Sequence, residues 1–200
     1  MTSDEIQNLY THKGLSAREI GGLLGVTQWQ VIRMLKKYGI SLRTPAETQR
    51  IQFNKSPLSF NKLSSMSQKA KILYEAGLML YWAEGAKSNN GVVDFANSDV
   101  RMAYIFLSML RCAYRVKEEK LRALLYCYKN QNVDNLIHYW SNKLSIPSNQ
   151  FIKPYIRQDY DDKKLHKMEY GLIHVRYNDK RLLMLILADI DIMAKKLVTC

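Results

Sequence analysis

The sequence predicts two parts of different class, a small all-α domain over residues 1–45 and an α+β domain over residues 69–200. Short helical patterns separated by glycines fill the first part. In the second part, strand patterns and helical patterns follow each other without regular alternation, which is typical of α+β architecture. Residues 46–68 have no period and carry mostly basic charge, so we expect a basic linker with about one helical turn.

The balance of charge indicates a polyanionic partner. The chain has 30 Lys and Arg against 18 Asp and Glu, a formal net charge of +12, and both halves are basic. Nucleic acid and an anionic membrane surface are the partners that such a charge favours. The plainer alternative is a basic cytosolic protein with no such partner.

Cysteine usage and hydropathy favour a cytoplasmic protein. The three cysteines (Cys112, Cys127 and Cys200) have no paired spacing, which predicts reduced thiols and no zinc ribbon. The polar N-terminus does not resemble a signal peptide. The longest apolar run, residues 182–193, is too short to span a membrane and is interrupted by two aspartates. We therefore expect no membrane association.

Residues 16–39 read as two short helices joined by a tight turn. Ser16 and Glu19 form a capping-box pattern that begins the first helix, which runs through Leu24. Thr27 caps the second helix, which stops at Gly39. A third helix, roughly residues 4–12, precedes them. Helix, glycine-containing turn and helix is the layout of a helix-turn-helix DNA-binding motif.

The segment Leu15–Val31 resembles the helix-turn-helix of resolvases and transposases. The resemblance implies that the second helix faces the major groove, where Gln can pair with adenine and Arg with guanine. Its expected DNA contacts are Gln28, Trp29, Gln30 and Arg33 for bases, Lys36 and Lys37 for phosphates, and Arg43 of the following arm for the minor groove. The alternative is a three-helix bundle that contacts protein.

Four strand patterns occur in the second part, and three of them place polar and aromatic side chains on one side. Apolar residues occupy the other side, as in an antiparallel sheet with one buried face. The polar sides are expected to form one basic, aromatic surface that contacts DNA, with these residues: Arg122, Tyr126, Tyr128, Lys153, Tyr155, Arg157, His174, Arg176 and Asn178. The alternative is an ordinary solvated sheet face.

The helix predicted over residues 69–84 ends on a carboxylate, Glu84, followed by Gly85. A negative charge in the last turn opposes the helix dipole, so the position calls for a reason, and metal coordination is one. Gly85 would suit a left-handed residue that closes the helix. The alternative is a solvated Glu on a good helix former.

Residues Gly77–Gly85 resemble the nine-residue signature of the LAGLIDADG homing endonucleases, and Phe95–Asp99 resembles the segment after it. The chain departs from the signature at Gly77, Met79 and Trp82. The resemblance implies an α+β domain with an antiparallel, saddle-like sheet packed on helices. A similar string over residues 185–193 has two aspartates that cannot share a helix face, so we interpret it as a core helix.

The resemblance also implies function. With one signature, the chain would act as a homodimer that binds double-stranded DNA specifically and cleaves it. The implied dimer interface is Leu73, Ala76, Gly77 and Leu80. The implied metal ligands for Mg²⁺ or Mn²⁺ are Glu84 and the backbone carbonyl of Gly85, and Lys87 and Lys129 are the candidates for a basic catalytic residue near the phosphate. A nucleoid-associated location in a bacterium or a phage-infected cell is expected.

Two other functions remain open at this point. The first is a transcriptional regulator that binds DNA on the same scaffold without cleaving it. The second is an RNA maturase, a function known in the LAGLIDADG superfamily. The helix-turn-helix argues against the maturase, because the major groove of an RNA helix is too deep and narrow for it.

Overall fold

A computed structural model describes residues 2–88, 91–158 and 168–199. The chain divides into two compact units, Met1–Pro57 and Leu58–Cys200. The α-helices of the described residues are α1 Ser3–Gln7, α2 Ala17–Leu24, α3 Gln28–Lys37, α4 Pro45–Lys55, α5 Gln68–Glu84, α6 Val100–Cys112, α7 Val133–Leu144 and α8 Lys180–Val198. The strands are β1 Val92–Asn97, β2 Leu121–Tyr128, β3 Phe151–Arg157 and β4 Leu172–Asn178. This mixed α+β content confirms the predicted class.

The first unit is built on a small apolar core. The buried members of this core are Ile6, Tyr10, Ile20, Val31 and Leu35. A π-helical segment, Asn8–His12, continues α1. Gly25 adopts a positive φ of 68° after α2, which a residue without Cβ tolerates best. The helices α2 and α3 therefore meet across a three-residue turn.

The linker predicted after residue 45 is wrong over its first half, because α4 is an eleven-residue helix there. Thr44 and Glu47 form a capping box, and Pro45 lies in the first turn, where its missing N–H is harmless. The Lys55 ammonium donates a hydrogen bond to the Gly14 carbonyl at 2.9 Å. This contact holds the end of α4 against the chain before α2.

The second half of the predicted linker is also wrong, because residues 59–63 form a strap bound to the second unit. The Ser59 hydroxyl donates to the Asp179 carboxylate at 2.6 Å, and the backbone amide of Asn61 donates to the Tyr114 carbonyl at 2.8 Å. The ammonium of Lys62 forms an ion pair with Asp189 at 2.6 Å. None of these partners is near in sequence, so no local pattern could predict the strap.

The second unit contains one four-stranded sheet in the order β1-β4-β2-β3. Strand β4 is antiparallel to both β1 and β2, whereas β3 is parallel to β2. The expected fully antiparallel sheet is therefore wrong at β3. The reason is that α7 connects β2 to β3 as a crossover helix, so β3 begins at the same end of the sheet as β2 and runs in the same direction.

One face of the sheet packs into the main core. Its fully buried side chains are Val93, Phe95, Leu121, Ala123, Leu125, Cys127, Ile173, Val175 and Tyr177. The ring of Phe106 from α6 stacks on Phe95 at 4.5 Å and on Tyr81 of α5 at 5.5 Å between centroids. This packing fixes the end of α5 relative to the sheet.

Candidate nucleic-acid interface

Helix α3 has one buried side and one exposed side. Val31 and Leu35 lie in the core of the first unit. The exposed side carries the predicted contacts Gln28, Trp29, Gln30, Arg33, Lys36 and Lys37. Trp29 is 64% exposed, which is unusual for so large an aromatic side chain. The structure thus brings all six together on one surface.

Gln30 differs from its neighbours because its side chain already has a local role. Its side-chain oxygen Oε1 accepts a hydrogen bond from the backbone amide of Thr27 at 2.8 Å. The Thr27 hydroxyl in turn accepts from the backbone amide of Gln30 at 3.3 Å. This is a capping box, and the Thr-x-x-Gln spacing alone could have revealed it. Bidentate pairing with adenine would require Gln30 to leave this cap.

Arg43 is not an extended arm, contrary to the sequence-based expectation. Its guanidinium donates to the carbonyls of Gly14, at 3.2 Å, and Leu15, and it lies 4.0 Å from the centre of the Tyr10 ring. The Tyr10 hydroxyl in turn accepts from the Arg43 amide at 3.0 Å. Arg43 therefore holds the start of α4 to the helices before it.

The end of α5 is held tightly against β1. The Tyr81 hydroxyl donates to the Ala86 carbonyl at 2.7 Å, and the Ala86 amide donates to the Asp94 carbonyl at 2.9 Å. Gly85 forms a β-bridge with Phe95. Burial, the largest cause, raises the pKa of Tyr81 to about 12, so its hydroxyl stays a donor.

Gly85 is extended, with φ of −75°, so the predicted left-handed closure is wrong. A glycine is nevertheless required, because a Cβ there would lie 2.5 Å from the Tyr81 carbonyl oxygen. Glu84 itself is exposed at the helix end. Its carboxylate is thus presented on a rigid support.

The two candidate basic residues are in different places. Lys87 is exposed and follows directly after the segment that pairs with β1. The register puts Gly85 level with Phe95, Val175 and Ala123 across the sheet. Lys129 comes six residues after Ala123, roughly 20 Å further along the strand direction. Lys129 therefore does not lie beside Glu84 of its own chain.

The end of α5 offers at most two oxygen donors for a metal ion. Within the described ranges, no group of three or more His, Cys, Asp or Glu side chains is placed to hold a metal ion. Glu84 and the Gly85 carbonyl are oxygen donors, the type that Mg²⁺ prefers, and this ion commonly takes its remaining ligands from water and phosphates. A second copy of the chain would have to supply the other carboxylate.

The outer face of the sheet carries a row of charges. Asp94, Arg176 and Arg122 are neighbours in register across β1, β4 and β2. Asp94 accepts hydrogen bonds at 2.8 Å from both Arg176 and His174. Burial alone would raise the pKa of Asp94, but the His174 hydrogen bond and the charges of His174 and Arg176 hold it below its ordinary value.

Asp94 is not among the residues predicted for this face. Its position between Val93 and Phe95, which point into the core, could have placed it on the polar face opposite the His-x-Arg pattern of β4. Like charges directly opposite each other in a sheet are destabilising, and Arg122 faces Arg176 in this way, but Asp94 pairs with Arg176 at 2.8 Å.

The faces predicted for β3 are partly wrong, because the strand is irregular. Ile152 is opposite Leu124, but Tyr155 is opposite Tyr126, so β3 advances three residues while β2 advances two. This bulge puts Ile152 and Tyr155 on the same outer face and removes Lys153 from it. After the bulge, Arg157 is opposite Tyr128, as expected.

Of the four residues predicted at the dimer interface of α5, Gly77 and Leu80 contact the interior of their own subunit. Gly77 is buried inside the subunit, where an added Cβ would lie 2.5 Å from the Met109 Cβ of α6. Leu80 packs partly on the main core. Leu73 and Ala76 are half-buried. The exposed side of α5 instead carries Lys71, Ile72, Glu75, Trp82 and Ala83.

Comparisons with protein-family models, with curated proteins and with solved structures found no match. In the described part of the chain, the helices all fall short of the length and apolar character needed to cross a bilayer.

Proposed function

We propose that this chain binds double-stranded DNA as a homodimer through α3 and the outer face of the sheet. The observation that carries the proposal is the exposed side of α3, where Trp29, Arg33, Lys36 and Lys37 lie together. Arginine and lysine supply phosphate contacts, and Arg33 can read guanine. The facing Arg122 and Arg176 of the sheet add a second basic surface.

Helix α5 supports the dimer. The exposed side of α5 carries two large apolar side chains, Ile72 at 56% and Trp82 at 44% exposure, together with the charged Lys71 and Glu75. Exposed apolar residues of this size mark a candidate contact surface. Packing this side against its copy in a second chain would bury it and bring two Glu84 carboxylates together at the helix ends.

We further propose that the dimer cleaves DNA with Mg²⁺ or Mn²⁺. Divalent ions between the two Glu84 carboxylates would activate water and stabilise the leaving oxygen. In each chain, Glu84 and the Gly85 carbonyl would hold the metal, and Lys87 would contact the scissile phosphate. The hydrogen bonds around Tyr81, Ala86 and Asp94 keep this end of α5 in a fixed position.

A non-cleaving transcriptional regulator is the second candidate. It is favoured by the contacts of Asp94, an acid near Glu84. The backbone carbonyl of Asp94 accepts from the amide of Ala86, two residues after Glu84. The Asp94 carboxylate is already bound by His174 and Arg176, so it is not free to join Glu84 as a metal ligand. A binding protein would need no metal.

A plasmid cleavage assay separates the two candidates. The substrate is supercoiled plasmid carrying the locus that flanks the gene, and the proteins are wild type, Glu84→Gln and Asp134→Asn. Asp134 is an exposed acid on α7, outside α5, and serves as the control. The nuclease predicts linear product with wild type and with Asp134→Asn, only with Mg²⁺, and a loss of at least about 100-fold for Glu84→Gln. Specific binding without linear product would assign the regulator.

A gel-shift titration tests the DNA-binding surface itself. Arg33→Ala should weaken binding to the specific site by about 1–3 kcal/mol, because a bidentate base contact is lost. Arg50→Ala is the control, since Arg50 is an exposed arginine on α4 in the same unit. Equal affinity of both variants and wild type would refute the role of α3.

A further inference from the structure

Three aromatic rings form a continuous row on the outer face of the sheet. The Tyr126 ring lies 4.8 Å from the Tyr155 ring and 4.5 Å from the His174 ring, measured between centroids. The three rings come from β3, β2 and β4, so the row crosses the strands. We call Tyr155, Tyr126 and His174 the aromatic row.

The row is ordered although it contributes little to the core. Tyr155 is 55% exposed and lies on an edge strand, on the side of the sheet opposite the buried Ala123 and Cys127. The bulge in β3 is what turns its ring onto this face beside Tyr126. At the other end, the hydrogen bond from His174 to Asp94 at 2.8 Å fixes the imidazole plane. The rings are close enough to stack on one another, so Tyr155, at the end of the row on an edge strand, is the member whose ring is open to a ligand.

Positive charge surrounds the aromatic row. Arg122, Arg176 and Arg157 belong to the same face by register, and Asp94 is the acid that faces them from β1. Arg122 donates to the backbone carbonyls of Glu119 and Leu121, so its own hydrogen bonds leave its charge in place. Exposed rings flanked by arginines complement a ligand with a phosphate backbone and aromatic bases.

We propose that the aromatic row is a stacking platform for an unpaired DNA base, so that the protein binds locally opened duplex more tightly than intact duplex. The inference rests on the proposed DNA binding and adds the form of DNA that the sheet takes. Paired bases in a groove present only their edges, and an exposed tyrosine ring gains little from an edge. An unpaired base offers its flat face, and stacking on it tolerates any base.

Fluorescence anisotropy with two DNA probes tests this proposal. One probe is a short intact duplex, and the other has the same sequence with a central bubble of mismatched bases. The proteins are wild type, Tyr155→Leu, Tyr155→Phe and Tyr104→Leu. Tyr104 is the matched control, because it is 53% exposed and lies on α6, away from the sheet face. At 55% exposure, Tyr155 can be replaced without loss of the fold.

We expect wild type, Tyr155→Phe and Tyr104→Leu to prefer the bubble by about tenfold, and Tyr155→Leu to lose most of that preference. Equal affinity of wild type for both probes would overturn the platform and leave the proposed DNA binding intact. Binding to neither probe would overturn both. Sedimentation without DNA adds a third outcome: if Tyr155→Leu alone changes the oligomeric state, the face belongs to a second copy, and the platform is overturned.

Discussion

Helices α5 and α8 of the second unit have similar sequences but hold their acids in opposite ways. Both contain an apolar run with a carboxylate, Gly77–Gly85 in α5 and residues 185–193 in α8. Glu84 is exposed at the end of α5. Asp189 is 5% exposed in the middle of α8, where its carboxylate accepts from the Tyr114 hydroxyl at 2.7 Å and pairs with Lys62 at 2.6 Å.

The difference shows how a structural carboxylate can be told from a candidate metal ligand: the structural one already has hydrogen-bond partners within the fold. Asp189 is satisfied by the strap and by the residue that follows α6, so folding explains it. Burial and the proximity of Asp189 raise the pKa of Tyr114, which keeps the phenol protonated and donating. Glu84 stands on an equally rigid support, and its exposure leaves the carboxylate open to a ligand.

The largest expected effect on stability is the difference between replacing Asp189 and replacing Glu84 by alanine. Asp189→Ala should lower the free energy of unfolding of the second unit by about 3 kcal/mol, because the buried Tyr114 hydroxyl and the Lys62 ammonium both lose their acceptor. Glu84→Ala should change it by less than about 0.5 kcal/mol.

Urea denaturation followed by the fluorescence of the buried Trp140 measures both values. Equal effects of Asp189→Ala and Glu84→Ala would break the contrast between the two helices.

A second prediction concerns the close packing of α5 on α6, and it compares two helical glycines, Gly77 of α5 and Gly22 of α2. Gly77→Ala should destabilise the second unit by about 2 kcal/mol, because the new Cβ would lie 2.5 Å from the Met109 Cβ of α6. Gly22→Ala in α2 is the matched control. No atom lies within 4 Å of its added Cβ, so it should stabilise the first unit by about 0.5–1 kcal/mol.

Thermal denaturation of the two variants decides this point. A Gly77→Ala protein as stable as wild type would show that α5 can move away from α6. The inner side of the helix would then be as open as its exposed side, and Gly77 would again be available to a second copy.

Local signals in the sequence were sufficient for most elements of the fold. The cap at Thr27, the helix that ends at Glu84 and the strand that begins near Leu172 all follow from nearby residues. The partners of the strap could not be predicted, because Ser59 and Asp179 are 120 residues apart. The parallel pairing of β3 and its bulge depend on where α7 returns the chain, which alternation within one strand does not encode.

The candidate site divides in the same way. The exposed side of α3 and the position of Glu84 follow from helix periodicity and from the glycine after the helix. Arg43 was misassigned because its charge suggested DNA, whereas its partners Gly14 and Tyr10 are visible only in three dimensions. Asp94 was missed because its role depends on His174 and Arg176 in a distant strand.

The smallest predicted effect concerns Asp94, a third acid, which lies beside the end of α5 but is satisfied like Asp189. Its folded-state pKa is held below its ordinary value of 3.8 by His174 and Arg176, against the opposing effect of burial. A depressed pKa contributes stability that is fully present above the ordinary value and is lost as the pH falls through the folded-state value. Asp94→Asn should therefore be less stable than wild type by about 1 kcal/mol at neutral pH, and this difference should disappear as the pH falls through the folded-state pKa of Asp94.

Urea denaturation of wild type and Asp94→Asn over a series of pH values measures this difference directly. Subtracting one curve from the other removes the titration of every group that the two proteins share, so the remaining slope belongs to Asp94 and its partners. A difference that stays constant down to acidic pH would mean that Asp94 acts through shape alone. Asp94 would then resemble Glu84 more than Asp189, with a carboxylate whose charge the folded chain does not use.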